Sequence, residues 1–130
     1  MNLTFLKLGS LFALLGVILG AFGAHGLESQ LSADQITTFE TGVRYQFYHA
    51  FALILLAILT APMKNHRFLR YAGWLFTAGI ICFSGSIYLL ACREMLGIEG
   101  WWWLGPITPI GGTLFIVGWG LLFAVTTSKS

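Results

Sequence analysis

Two histidines and one arginine are the residues of this chain with the most chemistry to offer. His25 closes one apolar run, His49 lies inside another, and Arg44 stands four residues after Glu40. Histidines on two facing helices are how a membrane bundle holds a haem, and with Glu40 they could hold a metal ion. No HxxxH or CxxC spacing supports that set, so the favoured reading is plainer. Each histidine would hydrogen-bond a carbonyl, serine or tyrosine on a neighbouring helix, and neither metal nor cofactor is expected. Arg44 could grip a lipid phosphate or a carboxylate with its planar fork, but Glu40 is the nearer partner.

Other polar groups offer less. Ser84 and Ser86 flank Gly85 with no general base on their own segment, so close packing explains them better than nucleophilic catalysis. The GAFGAHG run is spaced GxxGxxG and ends an apolar run, so it is no dinucleotide loop. Cys82 and Cys92 are ten residues apart, about 15 Å along a helix, too far for a disulfide within the chain. Only Cys92, near a membrane edge, could bridge two chains. No catalytic residue is expected.

The elements that must position these groups follow from composition. Of 130 residues, 57% are hydrophobic and 9% charged, against about 25% charged in soluble domains. So little charge cannot cover a soluble fold, so the solvent is the lipid bilayer. A net charge of +2 with scattered basic residues excludes a nucleic-acid footprint.

Four apolar stretches can cross a membrane, over 8–26, 43–61, 71–92 and 108–126, in a single transmembrane domain 1–130. The first could also be a signal peptide, but it is long for one and three more spans follow. Its small residues Gly9, Ala13, Gly16, Gly20 and Gly23 share one helical face, and Gly16 and Gly20 have the GxxxG spacing of packed membrane helices. Ser32 and Gln35 read as a capping box. The helix they open meets no breaker before Pro62, so about 29 residues, or 43 Å, exceed the hydrocarbon core. Trp101 to Trp103 suit the headgroup boundary. Thr108 and Pro109 read as an N-cap followed by proline at the first helical position, with Gly111 and Gly112 as packing glycines.

Basic residues set the orientation. Lys7, Lys64, Arg67, Arg70 and Lys129 fall on one side, Arg44 and Arg93 on the other, which predicts both termini in the cytoplasm. His25, the stretch from Glu40 through Arg44, Tyr45, Gln46 and His49, and Ser84, Ser86 and Tyr88 then gather toward the outer leaflet. Polar groups on two faces of the second and third helices exceed what one bundle needs. One face should close the bundle and the other meet a second copy or a partner membrane protein.

Four motifs in order, GAFGAHGL, TGVRYQFYHAFAL, FSGSIYLL and LGPITPIGGTLFIVGW, resemble the YgdD-type small membrane proteins of bacteria. These are grouped as domain-of-unknown-function family 423, with transmembrane protein 256 as the animal relative. Arg44, Tyr45, His49, Ser84 and Tyr88 match the family motifs. The resemblance implies four spans in the bacterial inner membrane and carries over no catalytic residue. The expectation is an all-α integral membrane four-helix bundle with short loops, non-enzymatic, whose outer polar zone binds a small ligand, a lipid headgroup or a partner helix. The alternatives are a transporter or channel subunit, which would need a polar path through both leaflets, and a haem- or metal-binding redox protein.

Overall fold

A chain in lipid must satisfy its backbone N–H and C=O groups internally, and helices do this within one segment. The computed structural model describes residues 1–63 and 66–128, and over these it is all-α. Lys64 and Lys129, two of the cations behind the expected orientation, lie outside the described residues, as does the His66 side chain. The helices are α1 (Leu3–His25), α2 (Ala33–Leu59), α3 (His66–Gly79), a π-helical segment (Ile80–Ser84), α4 (Gly85–Ala91), α5 (Arg93–Leu96) and α6 (Leu104–Thr127). From α3 to α4 the chain forms one continuous rod. Among the described residues, four rods are long and apolar enough to cross a membrane.

Local chemistry sets the ends. Asn2 caps α1, its side-chain oxygen accepting from the Phe5 N–H at 3.2 Å, so the helix begins at Leu3 rather than Leu8. The Ser32–Gln35 capping box forms with both bonds present. The Thr108–Pro109 start does not. Helix α6 begins at Leu104, after Trp103, which makes no side-chain cap bond. Pro106 falls among the first residues, whose N–H groups have no intrahelical acceptor, so it costs no bond. Pro109 then sits inside the helix, and Thr108 turns its hydroxyl inward instead of capping. The loop before α6 also contains the turn of α5, closed by Gly97 at φ 68.

The rods form two tight pairs, α1 with α2 and α6 with the α3–α4 rod, joined where α2 packs on that rod. Gly9, Gly16 and Gly23 form the α1 seam, one every seven residues, the repeat of a left-handed crossing. At Gly9 the contact is backbone to backbone: a Cβ there would stand 2.7 Å from the Ala50 carbonyl oxygen. Gly20 belongs to the seam only at its edge, since a Cβ there would meet Val43 at an ordinary 3.5 Å. On the other pair, Gly111 presses against Phe83, whose Cα would lie 2.8 Å from an added Cβ. Gly112 has no such restraint, its nearest contact being 3.8 Å.

Phe5, Leu53, Leu56, Leu69 and Phe76 fill the core toward the end where α1 begins, each at most 1% exposed. Leu27, Leu31, Phe39, Ala91 and Cys92 pack a second cluster at the opposite, loop end.

Candidate functional site

Polar side chains in the interior fall on the inward faces of α2 and its neighbours, and each finds a partner. Gln46 is the junction of three rods. Its Nε2 donates to the Phe12 carbonyl of α1 at 2.8 Å, and its Oε1 accepts from the Tyr88 hydroxyl of α4 at 2.6 Å. One turn earlier, Ser84 donates to the Gly42 carbonyl at 2.7 Å. Ser86 meets Thr108 of α6 at 2.6 Å and also donates to the Phe83 carbonyl. Both serine hydroxyls thus join helices to one another.

The π segment makes part of this possible. Gly85 N–H reaches back five residues to the Ile80 carbonyl, a wider turn that often marks functional sites. It lets the Phe83 backbone lie against Gly111 while Ser84 faces α2. The third apolar stretch thus carries a π-helical turn within one continuous rod.

His49 holds the second junction. Its ring lies flat on Phe115, with centroids 3.5 Å apart and planes at 8°. Nδ1 is 2.7 Å from the Tyr45 carbonyl, and Nε2 is 3.0 Å from the Trp119 indole nitrogen. A carbonyl can only accept and an indole N–H can only donate. Both bonds together therefore select the neutral ring protonated at Nδ1.

Around this histidine α2 and α6 stand apart. The opening is a lateral groove of about 520 Å³ beside Phe83, lined by Tyr45, Tyr48 and His49 from α2 and by Gly112, Phe115, Ile116 and Trp119 from α6. Its walls are almost wholly apolar. Tyr45 and Tyr48 are exposed along it, and among the described residues their hydroxyls make no hydrogen bond, although the Tyr45 backbone carbonyl does.

Of the residues expected to share one polar zone, Gln46, His49, Ser84, Ser86 and Tyr88 do come together in the interior, and Tyr45 joins the groove. His25, Glu40 and Arg44 do not, because all three are exposed. Gly23 packs on Phe39, so His25, two residues further out, lies level with the first turns of α2, about 18 Å along the axis from His49. A haem or metal ion cannot bridge that separation, and among the described residues no three His, Cys, Asp or Glu side chains gather as a metal site. The Glu40–Arg44 pair is also absent, since no ion pair within 4.0 Å forms among the described residues. Both side chains instead stand on the outer face of α2. Toward the far end, the apolar cluster around Phe5 and Phe76 interrupts any polar path through the bundle.

Ser84 holds Gly42, and Phe83 holds Gly111, seven residues into α6. Gly42 is therefore about 10 Å below the start of α6, and His49 about 20 Å. The histidine therefore stands level with the middle of the 24-residue α6.

Trp119, Phe115 and Phe83 were not singled out from the sequence. The signal was there for two of them. Gly112, Phe115, Ile116 and Trp119 recur at i, i+3, i+4 and i+7, and Trp119 lies far from the boundary that usually attracts tryptophan.

The model of a protein family described as "Protein of unknown function (DUF423)" matches residues 19–112. The UPF0382 membrane protein YwdK of Bacillus subtilis is 44% identical over 115 residues, covering 88% of this chain and 89% of that protein. The UPF0382 membrane protein SSP2132 of Staphylococcus saprophyticus is 43% identical over 125 residues, covering 96% and 97%. No solved structure matches. With four apolar helices long enough to span a bilayer and membrane-protein relatives along nearly its whole length, the chain belongs to the DUF423 family of membrane proteins.

Proposed function

We propose that this protein is a non-enzymatic binding protein of the bacterial inner membrane, with both termini cytoplasmic, and that the α2–α6 groove is its binding site. The occupant is a small membrane-soluble molecule with a flat ring that carries oxygen acceptors. The observation that carries this reading is the groove itself, a space of about 520 Å³ walled by aromatic rings, with two tyrosine hydroxyls that make no hydrogen bond among the described residues. Aromatic walls favour flat rings, and a phenol in lipid gains from an acceptor brought to it. A mostly apolar cavity with a few placed polar groups has the form of a ligand pocket.

Gly112→Leu tests the reading, because Gly112 lines the groove and has room for a side chain. Purified protein in nanodiscs would be titrated with a benzoquinone bearing a short isoprenoid tail, following tryptophan quenching. Saturable binding to the wild type and its loss in Gly112→Leu are expected. Equal quenching of both proteins, or quenching that never saturates, refutes the site.

A further inference from the structure

We propose that the outer face of α2 is a homodimer interface, in which each copy's Arg44 pairs with the partner's Glu40. This rests on the face of α2 centred on Arg44, which shares only Tyr48 with the groove, and it is tested separately. Glu40, Arg44, Tyr48, Phe51, Leu55 and Ile58 are all exposed, and at 100° per residue they lie within about 40° of Arg44. Beside this face, α2 borders the groove through Tyr45 and is otherwise packed. Phe39, Phe47 and Ala50 pack on the α1 glycines, while Gly42, Gln46 and His49 face the α3–α4 rod and α6.

Arg44 is the residue that requires a partner. It follows Gly42 by two residues, which sets it about 13 Å along the bundle from the start of α6, beside Trp101–Trp103, residues of the type that favours the headgroup boundary. At that depth an arginine seeks an anion, and snorkelling covers only part of the distance to a phosphate. No ion pair within 4.0 Å serves it among the described residues.

A second copy supplies the anion at the right place. Two parallel copies related by an axis along the membrane normal bring the same face together, so every contact occurs twice. Helical side chains lean toward the N-terminus, which aims Arg44 toward the turn of the partner's Glu40. The seam is self-complementary in charge at its loop end and apolar from Phe51 to Ile58, and its three- and four-residue spacing suits a left-handed helix pair.

The test mixes two charge reversals carried by differently tagged full-length copies in nanodiscs. Glu40→Arg and Arg44→Glu each leave like charges at both positions, within one chain and across the interface. Each alone is expected to lose dimer by about tenfold or more. Together they restore opposite charges only between chains, so the mixed dimer should return to the wild-type level. Phe51→Cys in a Cys82→Ala/Cys92→Ala background should form a disulfide dimer, and Val17→Cys on α1 should not. Wild type that runs as a monomer overturns the proposal, including a monomer retaining bound phospholipid. So does a mixture that fails to pair while both variants keep wild-type melting, or position 51 crosslinking no better than position 17.

Discussion

The Trp119 indole donates to Nε2 of His49 at 3.0 Å, while the other ring nitrogen is engaged by the Tyr45 carbonyl. Together with the stack of His49 on Phe115, this pair ties α2 to α6 across the groove. Trp119→Phe keeps a ring beside Phe76 but leaves Nε2 without its donor. An unsatisfied buried acceptor costs about 1–3 kcal/mol, so the melting temperature in detergent should fall. His49→Phe combined with Trp119→Phe should cost less than the sum of the single changes, because both partners of the bond are then removed together.

Gln46 carries a second coupling. Tyr88→Phe deprives its Oε1 of a donor, and Gln46→Leu deprives both Tyr88 and the Phe12 carbonyl of contacts at 2.6 and 2.8 Å. Each change should destabilise by about 0.6 kcal/mol or somewhat more, the average for hydrogen bonds between membrane helices. A double-mutant cycle by thermal or steric-trap unfolding should show a coupling energy of similar size. Additive effects would mean the bond contributes nothing in lipid.

What could be read from the chain divides along physical lines. The Ser32–Gln35 box, the glycine face of α1 and the four apolar rods depend on local spacing, and all are present, although α1 and α6 begin earlier than the spacing suggests and Gly20 only edges the seam. Helix α6 was misplaced because Thr108–Pro109 carries a strong local signal, yet Pro106 can also stand near a helix start. The π segment depends on Phe83 meeting Gly111 from another helix, which no local pattern encodes. For the candidate site, Gln46, His49, Ser84, Ser86 and Tyr88 were recognisable as interior polar groups because lipid tolerates so few. Glu40 and Arg44 were assigned a partner by sequence distance alone, and helix geometry turned them outward.

The adjacent glycines of α6 should respond oppositely to one methyl group. At Gly111 a Cβ meets the backbone of Phe83, with its Cα at 2.8 Å, and backbone cannot move aside cheaply. Gly111→Ala should therefore cost about 1–3 kcal/mol, as overpacking does. Gly112→Ala meets only the Phe83 ring at 3.8 Å and should be neutral or slightly stabilising, since alanine is the better helix former. Melting curves of the two variants in the same detergent would separate a packing glycine from a groove-lining one.

The α1 seam gives a parallel contrast over a longer distance. Gly9 lies under the Ala50 carbonyl, where an added Cβ would stand 2.7 Å from the oxygen, while at Gly20 the nearest atom is a Val43 methyl at 3.5 Å. The GxxxG pattern pairs Gly16 with Gly20, but the close approaches fall at Gly9, Gly16 and Gly23. Gly9→Ala should push α1 away from α2 and strain the Asn2 N–H bond to the Ala57 carbonyl, now 3.0 Å. A loss of about 1–3 kcal/mol is expected from the overpacking. Gly20→Ala should gain up to about 1 kcal/mol from helix propensity. If Gly20→Ala proved the more damaging of the two, the seven-residue seam would be wrong and the four-residue motif right.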